Sequence, residues 1–377
     1  MGHDSENLLF EPQLRMFQGA ILSPVNYGPD DTAALASRAR ERLSNFTLWF
    51  DPQLYVPEST RGQLPSWSYL PGDFDTADPM QRTWWERTIS APLVDACKSF
   101  GPGLLCSPAS LPKNFTNAYY ALSVAVGNDL AARAASASME VAQTIIVSGT
   151  DLLLKNRPIE IASIASRTDA DWVYLVVNNE KHPRREYDQG LEIEAIQTLI
   201  AELKEAALKV LVGYSSSDMV LWKAAGADSV ASGKFFNLRR FNRSRFDEPS
   251  DKGQQLPYWF EESLMSFLRE DDVARLDRAG LLGDGYASNP ISQEILQREP
   301  GKAWLRLSWR QYLWWFANCE AQLTGGAITT EQLLEGAEKR WPVVAEKVIM
   351  VEPQNTGAWV RIWRAALYSF KSSRPAR

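Results

Sequence analysis

The segment from Lys209 to Phe246, KVLVGYSSSDMVLWKAAGADSVASGKFFNLRRFNRSRF, limits the possible folds more than any other stretch of the chain. An apolar run, Val210–Tyr214, leads into the polar turn Ser215–Ser217. A helix is expected over about Asp218–Ala225, with Gly226 as its stop. A second strand begins near Asp228 and breaks at Gly233. Strand, helix and strand in such short order form the unit of a parallel sheet, because parallel neighbours cannot be joined by a tight hairpin. The cations Lys234, Arg239, Arg240, Arg243 and Arg245 follow at once, interleaved with Phe235, Phe236, Phe241 and Phe246.

The same alternation recurs upstream. Strands are expected at Ala20–Val25, Phe46–Phe50, Leu104–Cys106, Ala142–Ser148 and Trp172–Val177. Helical patterns separate them at Asp30–Leu43, Met80–Phe100, Phe115–Ala137, Ile159–Arg167 and Gly190–Leu208. Apolar strands alternating with helices indicate a parallel sheet covered on its faces. The spacing predicts an irregular (β/α)8 TIM-like barrel over residues 1–255, with one strand unplaced. A doubly wound open sheet is the alternative, weakened because no GxGxxG loop follows the first strand. Beyond Leu256 the patterns read as helices at Pro257–Leu268, Asp271–Ala279, Trp309–Leu323, Thr330–Ala345 and Asn355–Phe370. Residues 256–377 are therefore expected to form a Trp-rich helical extension packed on the barrel.

Composition removes several functional classes. The chain is 45% hydrophobic and 23% charged, as in ordinary globular proteins, and no apolar run reaches the roughly 20 residues of a membrane span. Its first residues, MGHDSENLLFEPQ, are acidic where a secretory leader would be basic, so a cytoplasmic protein is expected. Cys97, Cys106 and Cys319 form no CxxC pair, and His3 and His182 are the only histidines. No disulfide framework, metal centre or cofactor is expected. A net charge of −6 argues against a general nucleic-acid coat but permits one local basic surface.

In a barrel, chemistry sits where strands run out into the following loops. Asp51, Asp151 and Glu180 are the candidate catalytic carboxylates, since acids near one mouth can have their pKa values pushed apart. The alternative for each Asp is a helix cap or a turn, and for His182 beside Glu180 a solvated loop. Lys234, Asn237, Arg239, Arg240 and Arg243, with Tyr214 and Ser215, are the candidate phosphate or nucleic-acid contacts. The guanidinium fork matches phosphate oxygens, and aromatic faces stack on bases. The alternative is a surface loop whose phenylalanines face the core and whose arginines pair with acids.

At this segment the chain resembles the (β/α)8 barrels of the tRNA-guanine transglycosylase family. Val212-Gly213-Tyr214, Gly226-Ala227-Asp228 and Asn237-Leu238-Arg239-Arg240 follow the order of that family's strand end, Gly-x-Asp and Arg-rich run. LWFDPQLY, Leu48–Tyr55, is similar to the family's strand ending in a general-base Asp, a role the resemblance gives to Asp51. The family's nucleophilic Asp falls at about Ala231 here, and the cysteine cluster of its zinc site is missing.

The leading expectation is therefore a barrel that binds a nucleotide or nucleic acid at its mouth, with transglycosylase-like or other glycosyl-bond chemistry. A second reading is a phosphate-binding lyase or aldolase using Lys234. A third is a catalytically inactive subunit that docks a protein partner through the C-terminal helices.

Overall fold

A computed structural model describes residues 5–73, 75–179, 184–247, 255–299, 301–352 and 355–374. The seven expected apolar runs form strands β1 (Gly19–Leu22), β2 (Thr47–Phe50), β3 (Leu104–Cys106), β4 (Glu140–Ser148), β5 (Trp172–Asn178), β6 (Lys209–Val212) and β7 (Ser229–Val230). All neighbours are parallel, and their spatial order is their sequence order. Each crossover thus steps one strand further in the same direction. A doubly wound sheet would reverse at a switch point, so that alternative is excluded.

The period of two decides which side chains face inward. On β4, β5 and β6 the residues Ala142, Ile146, Tyr174, Val176 and Leu211 form the inner core. Their sequence neighbours Ile145, Val147, Leu175, Val210 and Val212 pack outward beneath the helices, against residues such as Ile193 and Ile196. Both faces are buried, which is why these strands are almost wholly apolar.

The sheet curls but does not close. It is an open half-barrel of seven strands, and no eighth strand joins it among the described residues. After β7 the chain turns through two short 3₁₀ segments, Phe236–Leu238 and Arg243–Phe246. A single parallel bridge, Asn178 to Phe241, ties this stretch back to the end of β5. The run FNLRRFNRSRF alternates only over Phe236–Arg239 and then turns mostly polar, so it offers no sustained face to bury as a strand. Leu313 and Phe316 of the helix Leu305–Thr324, with Leu14 and Phe17 near the N-terminus, line the space between β1 and β7 instead.

Two expectations need correction. Pro257–Leu268 is not a helix but an antiparallel hairpin, β8 (Trp259–Glu261) and β9 (Ser266–Leu268). Its cross-strand pair Phe260–Phe267, with ring centroids 4.9 Å apart, is the kind of aromatic contact that favours a strand ladder over a helix. The helix expected over Met80–Phe100 is interrupted by a wider π-turn at Trp85–Ser90 before Ala91–Lys98. Pro92 has no N–H and its ring crowds the preceding turn, and the wider turn relieves both.

The longer C-terminal helices are Glu270–Arg278, Pro290–Leu296, Leu305–Thr324, Thr330–Lys347 and Ala358–Ser373, with one short turn of helix at Gly285–Ser288. They share one continuous apolar core with the outer face of the sheet. Buried Trp341 and Trp363 donate to the carbonyls of Leu264 (3.0 Å) and Tyr187 (2.8 Å), so each bulky ring also satisfies its N–H. Gly357 starts the last helix at φ 69°, and a Cβ there would lie 2.2 Å from Cγ of Trp341. Gly357→Ala should therefore cost about 1–3 kcal/mol, read as a lower midpoint in urea unfolding. An unchanged midpoint would show that the Trp341 packing is not fixed as described.

Candidate functional site

Two cavities adjoin along the open side of the sheet, the inner one running from the strand starts at Gly19, Thr47 and Trp172 to the strand ends at Asp51 and Tyr214. The inner one, about 340 Å³, lies in the gap between β1 and β7 and is lined by Trp49, Trp172, Tyr174 and Asp51 among others. The outer one, about 700 Å³, lies at the mouth beneath Trp309 and Tyr258 of the C-terminal region. Lys234, Leu238 and Arg245 line both, so these side chains form the wall between them.

Asp51 follows directly on β2 and is buried (2% exposed). Its Oδ1 accepts from the backbone N–H of Gln53 (3.0 Å) and its Oδ2 from the Tyr55 hydroxyl (2.9 Å). Gln53 takes φ 54°, an unfavourable left-handed conformation for a side-chain-bearing residue, and Tyr214 at the end of β6 does the same. Gly213 just before it lets the Tyr174 ring approach to where a Cβ would sit, 2.5 Å away. The Gln53 amide donates to the Tyr214 hydroxyl (3.3 Å) and accepts from the Ser23 hydroxyl (2.7 Å). Arg245 donates through Nη2 to Ser23 Oγ (3.4 Å). A polar chain thus runs from the carboxylate to the guanidinium.

Burial pushes Asp51 up to about 6, against the two hydrogen bonds and the field of Arg245, which pull it down. A carboxyl group poised there can give or take a proton near neutral pH. The same burial, with Asp51 adding to it, raises the Cys106 thiol, so that thiol is not a nucleophile.

The basic run divides sharply. Arg239 is fully enclosed: it donates to the carbonyls of Gly233 (2.9 Å) and Lys234 (2.9 Å) and lies 3.6 Å from the Tyr312 ring centre. Its burial lowers its pKa to about 10. Arg240 is buried under Tyr187 and pairs with Asp218 (3.4 Å). Arg243 is exposed and pairs with Glu58 (3.5 Å). Ser215 donates to the carbonyl of Val212 (3.1 Å) and so shapes the turn. Of the expected contacts, Arg240 and Ser215 are buried in pairings within the fold and Arg243 lies in an exposed ion pair, and none of the three lines either cavity. Arg239 contributes to the mouth wall, and Asn237 lines the mouth with an amide oxygen that has no partner. Tyr214 and Lys234 line the inner cavity.

Asp151 does not join Asp51. It pairs with Arg157 (2.9 Å) and receives a hydrogen bond from Tyr120 (3.4 Å), beneath the helices Asn117–Ala135 and Arg157–Ala165. It lines neither cavity. Glu180 and His182 lie outside the described residues. Ala231 does line the inner cavity, so the position matched to the family's nucleophile faces the site but carries only a methyl group.

Arg245 belongs to the basic run visible in the sequence but not to the candidate contacts drawn from it. It is 6% exposed, forms no ion pair among the described residues, and its Nη1 has no hydrogen-bond partner. The mouth cavity is lined by Arg61, Arg184, Lys234, Arg239 and Arg245, with no Asp or Glu among its described lining residues. Lys234 lies 4.4 Å from the Trp309 ring centre and 4.7 Å from that of Phe235. Such a wall attracts a bound anion. No protein-family model matches the chain, and no curated protein matches it.

Two outcomes follow. Relative to Asp51→Asn, the native protein should lose up to about 3 kcal/mol of stability as pH rises from 4 to 7. The sign follows from the raised folded value: the contribution is full below the unfolded 3.8 and is lost through about 6. Parallel pH curves in denaturant melts would count against a raised Asp51. Asp151→Ala should cost about 1–3 kcal/mol by leaving Arg157 without its carboxylate, yet leave ligand affinity unchanged. Reduced affinity in calorimetry would place Asp151 in the site after all.

Proposed function

We propose that the protein binds a nucleotide at the barrel mouth, with Lys234 and Arg245 holding phosphate, and acts on its glycosyl bond through Asp51. The observation that carries this reading is Arg245. A guanidinium removed from water without a carboxylate partner is costly, and an oxyanion in the mouth cavity that Arg245 lines would offset that cost. The aromatic rings around the mouth suit a base or sugar as well as the phosphate.

The limited volume of the mouth cavity, about 700 Å³, supports a single nucleotide over a continuous strand. A strand needs exposed cations along its path, yet the exposed Arg243 is already paired to Glu58. The chemistry this reading implies is single displacement. Two free carboxylates are needed for a covalent glycosyl intermediate, and the second position is Ala231. Glu320, the other acid lining the inner cavity, is paired to Lys223 (3.0 Å). Asp51 would then serve proton transfer, giving its proton to the departing base and recovering one from water.

The alternative of a Schiff-base lysine finds less support, because two ring faces around Lys234 favour an ammonium rather than a neutral amine. The docking role for the tryptophans is likewise weakened, since Trp304, Trp315, Trp341, Trp359 and Trp363 are internal.

Calorimetry tests the proposal. A nucleoside monophosphate should bind at least about tenfold more tightly than its nucleoside, and Arg245→Gln should remove that difference. Equal affinity for the two ligands, or an unaffected variant, would overturn it.

A further inference from the structure

Arg245 and Asp51 line the same inner cavity and are joined through Ser23 and Gln53, while Arg245 alone of the two also reaches the mouth. The groups that face Asp51 are few. Tyr55 and Tyr69 come from the loop after β2, Cys106 from β3, Tyr174 from β5, and Tyr214 from the end of β6. All of these hydroxyl and thiol groups are held in their protonated, neutral forms by burial. Among these side chains, Arg245 is the one cation acting on the carboxylate. Lys234 shares the cavity, but its ammonium lies against the Phe235 and Trp309 rings.

We propose that an anion seated against Arg245 in the mouth cavity loads Asp51 with a proton, so that the arrival of phosphate at the mouth converts the buried carboxylate into the acid. This rests on the anion-binding reading above and adds a coupling between its two cavities. Hydrogen bonds from the Gln53 N–H and the Tyr55 hydroxyl hold the carboxylate in its charged form against burial, and the field of the guanidinium adds to them. An anion on the outer side cancels that field, the carboxylate takes one proton from solvent, and no other bond changes. In a glycosyl-bond reaction Asp51 would then begin as proton donor to the leaving base. The attacking water, entering on the opposite face, would release its proton to solvent, and the resulting carboxylate would regain one from solvent before the next cycle. An unliganded enzyme near neutral pH would hold Asp51 mainly ionised, unable to protonate a leaving group until the phosphate is in place.

Sulfate is the suitable probe, because it does not itself titrate between pH 5 and 8. Titration calorimetry at pH 7 in buffers of different ionisation enthalpy counts the protons taken up on binding. The native protein should take up a measurable fraction of a proton per sulfate. Asp51→Asn, which mimics the protonated acid, should bind sulfate about fivefold more tightly at pH 7 and take up no proton, whereas Arg245→Gln should weaken binding about tenfold or more. Glu186 sits behind Arg239 and Arg240 and is itself pushed up to about 7, so uptake that persists in Asp51→Asn would assign the proton there and overturn the proposal. A second measurement needs no variant. With carboxyl-labelled aspartate, the nuclear resonance titration midpoint of Asp51 should rise from about 6 to about 7 when sulfate is added. Sulfate binding without proton uptake, or a midpoint that does not move, overturns the coupling while leaving the anion site standing. Absence of sulfate binding in the native protein overturns both.

Discussion

A parallel sheet that ends after seven strands has two edges whose backbone N–H and C=O groups lack a ladder partner, and unpaired buried backbone is costly. This protein meets that constraint by covering the gap between β1 and β7 with side chains from the helix Leu305–Thr324 and the N-terminal segment. Side chains cannot fill such a gap as evenly as a strand would. The inner cavity is what remains, and its position at the open seam brings the end of β2, with Asp51, opposite the irregular chain after β7, with Lys234 and Arg245. The C-terminal helices are therefore more than an appendage: their apolar residues and the outer face of the sheet form one core.

The basic run after β7 illustrates how a chain can bury several cations at once. Each is compensated in a different way. Arg239 has aromatic faces from Tyr312, Phe236 and Phe267 and two backbone carbonyls. Arg240 has Asp218, the Tyr187 ring and a nearby carboxylate, Glu186. Lys234 has two rings. Arg245 has a serine hydroxyl and distant ring faces, and one nitrogen with nothing. Arg240 also leaves its Nε without a partner, so what sets Arg245 apart from the other buried arginines of the run is that it lines both cavities and forms no ion pair among the described residues.

Much of the sheet was legible because its signal is local. Runs such as TIIV at Thr144–Val147 and WVYLVV at Trp172–Val177 are short, apolar and bounded by turns, and each became a strand. Asp51 was legible for the same reason: it stands immediately after one of them. The failures were non-local. WFEESLMSF at 259–267 carries apolar residues at spacings that also fit a helix, and only the pairing of Phe260 with Phe267 decides for the hairpin. Barrel closure depends on whether FNLRRFNRSRF finds two partners at once. The roles of Arg239, Arg240 and Arg245 depend on rings from Tyr312, Tyr187 and Tyr214, which are distant in sequence. Asp151 looked equivalent to Asp51 because both end strands, but Arg157 six residues later claims it.

The strain in the site has a consistent direction. Gln53 and Tyr214 both adopt left-handed backbone, and they are the two residues hydrogen-bonded to each other between Asp51 and Arg245. Relaxing either would release the amide N–H from Asp51 or pull the Tyr214 ring away from Arg245. The fold thus accepts two unfavourable conformations, a carboxyl group raised by burial and a guanidinium with a free nitrogen within one short chain of contacts. Each alone is an ordinary irregularity. Together on one path between two cavities, they place the cost of folding where a ligand's negative charge would recover part of it.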